Sequence, residues 1–309
     1  MNNLESQEDK ISVVIPLYNR YDIFFNTLQT VLKQTCQTIE IIIVHNGPDR
    51  IPDTLLGEFS DNRIRFFHLD ESNANAARNY GIMQSTGKYI AMLDADDEWL
   101  ENHLEDCLFT LKQSGADGVY GSLFRKRYPN INQGVFIARE LRKDESMTDY
   151  LLSNVFGAQT STLFTTAESS KDILWDSELI NHQDYDFVIR FCKKYKMIPK
   201  KNPTTVYVVH DNSLSHEMDC YSLTKFGKNN REDMNPSLYI KYNLDIYRYA
   251  VHAHWSSKNI RYFKKETLRN KEHLSYQSYI SIYNPKNIFQ ALSAKLQYLW
   301  HIGLIKIEF

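Results

Sequence analysis

Lys88-Tyr-Ile-Ala-Met-Leu-Asp-Ala-Asp-Asp97 passes from an apolar run straight into three carboxylates within four positions. Ile90 to Leu93 has the length and character of a strand buried on both faces. Alternate residues of an extended chain point the same way, so Asp94 and Asp96 share one side. Crowded carboxylates repel and raise each other's pKa unless a cation sits between them. Hard oxygen ligands of this kind suit Mg²⁺ or Mn²⁺, which take one or two carboxylates and complete their shells with substrate phosphates. The competing reading is a polar loop in which Asp97 caps the next helix.

Working outward, the flanking segments alternate in period. Ile11-Ser-Val-Val-Ile-Pro-Leu17 predicts a buried strand, ended by Pro16 and the turn residue Asn19. Phe24, Leu28, Val31 and Leu32 give Tyr21 to Lys33 a helical spacing. Ile39 to Val44 predicts a second strand, carrying the charge of Glu40 and closed by Asn46-Gly47-Pro48, and Arg63 to His68 a third. Asn73 to Gln84 reads as a helix stopped by Gly87. Further on, strands are predicted for Gly118 to Leu123, Gly134 to Ala138, Ser161 to Phe164 and Thr204 to Val209. Helices are predicted for Leu100 to Lys112 and from Asp184. Strand and helix in alternation mean an α/β fold with a mostly parallel sheet and right-handed crossovers. Ligands of such sheets lie beyond the carboxyl ends of the strands. Tyr18-Asn19, His45-Asn46 and Asp94 to Asp97 all fall there.

Composition sets the outer bounds. The chain has 309 residues, 42% of them hydrophobic and 24% charged, which excludes a disordered bulk. Met1 to Lys10 is polar, with no apolar core for a signal peptide, and no stretch approaches the ~20 apolar residues of a membrane span. The 4 cysteines show no paired spacing, which argues against a metal cluster or disulfide framework and for a reducing, cytoplasmic setting. The net charge of −2 hides a gradient: residues 221–309 carry 14 Lys+Arg against 6 Asp+Glu. A boundary is therefore expected near 220, with a basic, Tyr-rich, mainly helical region behind an acidic body.

Three segments together resemble the signatures of family 2 glycosyltransferases: Ile11-Ser-Val-Val-Ile-Pro-Leu-Tyr-Asn-Arg20, Ala77-Arg-Asn79 with Gly81, and Ser85 to Asp97. The resemblance spans about residues 10 to 215. It implies a GT-A (Rossmann-like) fold and inverting transfer from a nucleotide-diphosphate sugar, aided by Mn²⁺ or Mg²⁺. It also implies that Tyr18 stacks on the nucleobase, Arg78 contacts the nucleotide, and Pro16, Asn19, Asn46 and Ala95 line the donor site. Asp94 and Asp96 match the DxD motif, Asp96 as metal ligand and Asp94 in support. Asp184, in Gln183-Asp-Tyr-Asp-Phe187, matches the general base, and His210 the late histidine near the diphosphate and metal.

Three departures bear on specificity. His45-Asn46-Gly47-Pro48 stands where the family usually shows Asp-Asp-Gly-Ser, which leaves uridine or thymidine open as the base. Gln183 replaces a glutamate. Asn75 stands where glycine is common, a swap that a left-handed position tolerates. The acceptor is expected to be a saccharide or lipid-linked saccharide of a bacterial surface polysaccharide or glycoconjugate, with no nucleic acid partner.

Leu292, Leu296, Leu299 and Ile302 recur at helical spacing beside Tyr298 and Trp300. That stripe fits an interfacial contact with the inner face of the cytoplasmic membrane. Packing on the catalytic body or in a homo-oligomer is the competing use. Two other functions stay open on sequence alone, a sugar-nucleotide pyrophosphorylase and a catalytically silent nucleotide-sugar-binding subunit. The first wants a Gly-rich phosphate loop after the first strand, and Leu17 to Asp22 has no glycine.

Overall fold

A computed structural model describes residues 9–49, 51, 60–127, 134–153, 157–210, 218–269, 273, 275 and 282. Its contacts divide the chain into two compact units, Met1–Met218 and Asp219–Phe309. The first unit is built on a mixed sheet. Strands β1 (Ile11–Leu17), β2 (Ile39–Asn46), β3 (Ile64–Leu69) and β4 (Tyr89–Met92) run parallel, with β1 between β2 and β4. The sheet continues through β5 (Glu98–Trp99), β6 (Gly118–Arg127), β7 (Gly134–Phe136), β8 (Phe164–Thr166) and β9 (Met197–Val209). Its order is β3-β2-β1-β4-β8-β6-β9-β5, with β7 on the edge of β6. Described helices are α1 (Tyr21–Leu32), α2 (Ala74–Gln84), α3 (His103–Ser114), α4 (Met147–Ser153), α5 (Ala167–Ile173) and α6 (Gln183–Cys192).

Every residue of β1, β2 and β4 is buried, as expected of strands covered on both faces. One charge enters this core. Glu40 accepts from Ser12 Oγ at 2.6 Å, Thr86 N at 2.7 Å and Gly87 N at 3.2 Å, while Arg65 and Lys10 face its other oxygen. These donors outweigh burial and hold its pKa down to about 2. Glu40 thus ties β1 and β2 to the turn that enters β4.

The structure corrects several sequence expectations. Pro16 does not end β1: pairing to β4 stops at Val14, so the missing N–H of Pro16 falls beyond the ladder and the strand runs on to Leu17. Ser161 to Phe164 is not a strand but a single 3₁₀ turn, Thr160–Thr162, leading into β8. Asn75 is not left-handed. It lies inside α2, where its side chain donates to the carbonyls of Asp176 and Leu179. The helix after the acidic turn starts at His103 rather than Leu100, because Glu98–Trp99 pairs with β9 first. In the second unit lie α7 (Cys220–Asn229), α8 (Pro236–His252) and α9 (Ser257–Thr267). The stripe expected between Ile288 and Ile305 lies outside the described residues, as do Ser213 and Ser215.

Candidate active site

The carboxyl ends of β1, β2 and β4 bring the acidic turn together with the residues that follow β1 and β2. Asn19 takes a left-handed conformation (φ 50), which a short polar side chain tolerates, and turns the chain into α1. Thr27 Oγ1 of α1 donates to the carbonyl of Ala95 at 3.0 Å, so helix and acidic turn are bonded together.

Each carboxylate of the turn has a different partner. Arg78 is 3% exposed; it donates to Asp94 Oδ1 at 2.6 Å and to Asn75 Oδ1 at 2.7 Å, with its guanidinium 4.6 Å from the Trp175 ring centroid. It is therefore no surface salt bridge but a clamp on Asp94. Asp96 pairs with Arg20, through Oδ2. The same oxygen lies 3.8 Å from His210 Nε2.

Asp97 is not a helix cap. It is buried, accepting from Ser161 Oγ at 2.6 Å, Gln159 Nε2 at 2.9 Å and Val208 N at 3.0 Å. Burial, with the charge of Asp94 behind it, raises its pKa. The bond to Val208 anchors the end of β9 against the turn, two residues before His210. Ser161 completes this framework: its Oγ also accepts from Asp94 N at 3.0 Å, and its carbonyl accepts from Trp99 Nε1 at 2.8 Å. Neither Asp97 nor Ser161 is legible as a site organiser in sequence, since their partners are distant in the chain.

Tyr18 is 38% exposed beside Gly47. A Cβ on Gly47, whose φ is 154, would lie 2.3 Å from Tyr18 Cε2, so the close approach requires glycine. Asn46, at the end of β2, is 4% exposed. Its neighbour His45 is buried under Tyr18 and Tyr21, and burial lowers its pKa. A hydrogen-bonded chain runs from Tyr21 Oη to His45 Nε2 (2.9 Å), from His45 Nδ1 to His68 Nδ1 (3.1 Å), and from His68 Nε2 to Asp70 (2.7 Å). Asp70 is an acceptor, so His68 Nε2 donates at that end of the chain.

Asp184 is the second residue of α6, two after left-handed His182. Its own Oδ1 accepts from Tyr185 N at 2.9 Å. Burial first, and the charge of Asp94 after it, push its pKa up to about 6, against the opposing pull of Arg78. Asp184 therefore stands within electrostatic reach of the clamped Asp94–Arg78 pair. A carboxyl raised in this way suits proton abstraction near neutral pH.

Among the described residues no three His, Cys, Asp or Glu side chains form a ready cage for a metal ion. Asp96 and His210 supply two donors facing one another, and a hard divalent cation that fills its shell from substrate phosphates fits such a pair. No helix among the described residues is long and apolar enough to cross a membrane.

The sequence model described as Glycosyl transferase family 2 matches residues 12–166. The amylovoran biosynthesis glycosyltransferase AmsB of Erwinia amylovora is 27% identical over 296 residues, covering 89% of this chain and 92% of that protein. The putative colanic acid biosynthesis glycosyl transferase WcaA of Escherichia coli K12 is 29% identical over 206 residues, 65% of this chain and 72% of its own length. The fold is similar to that of S. aureus TarS crystallised with UDP-GlcNAc, with a TM-score of 0.64 at 12% identity over 95% of this chain and 89% of that one. The ordered motifs, the mixed sheet and the acidic turn at its carboxyl edge agree with these matches, and the chain belongs to glycosyl transferase family 2.

Proposed function

We propose that this glycosyltransferase is inverting and metal-dependent, moving a sugar from a nucleotide-diphosphate donor, with a UDP-sugar favoured, to an acceptor hydroxyl. The acceptor is a saccharide or lipid-linked saccharide used in bacterial surface polysaccharide or glycoconjugate synthesis. The carrying observation is the acidic turn at the carboxyl edge of the sheet, where Arg78 donates to Asp94 at 2.6 Å and Asp96 Oδ2 lies 3.8 Å from His210 Nε2. TarS, which shares the fold, binds UDP-GlcNAc, and this supports uridine as the base.

In this function Asp184 takes the proton of the attacking hydroxyl, a contribution of roughly 10²–10⁴-fold. Asp96 and His210 would hold Mn²⁺ or Mg²⁺, which when bound would supply a Lewis acid for the leaving diphosphate. Arg78 fixes Asp94 at the donor, Tyr18 stacks on the base, and Pro16, Asn19, Asn46 and Ala95 form the surrounding wall. With Asp184 acting as base on the acceptor hydroxyl, a single in-line displacement inverts the anomeric centre. Residues 1–220 carry this chemistry, and residues 221–309 supply acceptor, membrane or subunit contacts.

The test is release of nucleoside diphosphate from a panel of sugar nucleotides with and without Mn²⁺, with the product anomer read by NMR. Release that needs metal, and is lost in Asp96→Ala and Asp184→Ala, is expected. Turnover surviving both substitutions, or a product of retained configuration, overturns the mechanism.

A further inference from the structure

Resting on that reading, we propose that Arg20 gates the cation site: its guanidinium occupies Asp96 until a nucleoside diphosphate arrives, so that metal and donor bind cooperatively. Both arginines at the acidic turn neutralise a carboxylate, yet they are held very differently. Arg78 is buried and fixed by Asp94, by Asn75 and by the face of Trp175. Arg20 is about a quarter exposed, and its ion pair is with the one oxygen, Asp96 Oδ2, that also faces His210. A divalent ion that engages Asp96 through Oδ2 together with His210 competes with that guanidinium at one oxygen.

The position of Arg20 is not explained by helix stability. It occupies the N-cap of α1 without a side-chain cap bond, and a cation at a helix N-terminus opposes the macrodipole. The ion pair with Asp96 offsets that cost. Once displaced, Arg20 lies one residue from Asn19 and two from Tyr18, beside the proposed donor wall. There its fork of N–H donors suits two phosphoryl groups. Cation binding releases Arg20 for the diphosphate, and the diphosphate draws Arg20 away from Asp96. By linkage, each ligand then tightens the other by the same factor.

The probe is Mn²⁺ binding to the full chain, followed by electron paramagnetic resonance with and without UDP. In the wild type UDP tightens Mn²⁺ strongly. In Arg20→Ala, and in Arg20→Gln should the alanine variant fold poorly, Mn²⁺ alone binds at least about threefold tighter, in line with the loss of a part-buried ion pair. The tightening by UDP shrinks at the same time. Arg20→Lys, which keeps a cation there, retains weak binding of Mn²⁺ alone. A change smaller than about threefold in both neutral variants, with Asp96→Asn abolishing Mn²⁺ binding, overturns the gate and leaves the metal site standing. Mn²⁺ binding that survives Asp96→Asn overturns the metal site itself.

Discussion

Asp184 and Tyr18 carry the sharpest expectations at the scale of single residues. A base must be deprotonated to act, and Asp184 is raised to about 6 chiefly by burial. The kcat/KM for a UDP-sugar is therefore expected to rise with pH through about 6 and then level off, a limb that stopped-time UDP release across pH 4.5–8 measures directly. Asp184→Asn removes the limb and roughly 10²–10⁴-fold of kcat while UDP affinity stays within a few-fold. For Tyr18 the discriminating pair is Tyr18→Phe, which keeps the ring, and Tyr18→Ala, which weakens UDP by roughly tenfold or more in calorimetry. Equal losses in both would mean that the hydroxyl, not the ring face, holds the base. Asp94, Asp96 and Asp184 are legible in sequence because each belongs to a short local pattern. Arg20, Asp97 and Ser161 are not, because the bonds that tie each of them to the acidic turn or its framework span 62 or more positions and only folding supplies them.

At the scale of elements, local sequence and tertiary context carry different shares of the fold. Strands β1, β2 and β4 are apolar throughout, so their existence follows from burial on both faces, and the helical period of α1 and α6 is equally plain. Thr160–Thr162 is a turn although β-branched threonines favour a strand locally, because Thr162 Oγ1 bonds back to the Gln159 carbonyl and Ser161 between the threonines donates to Asp97 and accepts from Thr205 Oγ1. Glu40 looked like an interruption of β2 and proves to be its anchor. Its folded pKa is depressed to about 2, so its stabilisation is complete above the unfolded value of about 4.5 and is lost as pH falls toward 2. Glu40→Gln is expected to cost about 1–3 kcal/mol at pH 7, since the bonds from Ser12, Thr86 and Gly87 lose their charge assistance and an amide N–H₂ replaces the oxygen that faces Arg65 and Lys10, and the difference from wild type should narrow in urea melts below pH 4. A constant difference across that range would deny the carboxylate its role. Gly47→Ala is expected to push Tyr18 from its seat and so to weaken UDP more than it lowers Tm.

On the scale of the whole molecule, the charge gradient seen in sequence has a local counterpart in the second unit. Lys258, Arg261 and Lys265 are exposed and recur at helical spacing along α9, with Arg269 just beyond, whereas Phe263, Glu266 and Thr267 are buried on the other side of the same segment. Glu266 is held there by Tyr239 Oη at 2.6 Å and Arg269 at 3.0 Å, so the buried side is fixed by its own bonds. An exposed row of cations with a packed reverse suits an anionic lipid surface, whose attraction is additive over basic residues and screened by salt. If the acceptor is lipid-linked, such a contact brings enzyme and acceptor onto one plane. The full chain is therefore expected to float with phosphatidylglycerol-rich vesicles at low salt and to detach as salt is raised. The triple variant Lys258→Glu, Arg261→Glu, Lys265→Glu should stay folded and lose at least about tenfold in partitioning, while UDP release from a soluble assay keeps its rate. Equal flotation of the variant, or equal flotation of the wild type with phosphatidylcholine alone, would assign that row of charges to solvent and leave the acceptor to be met without the membrane.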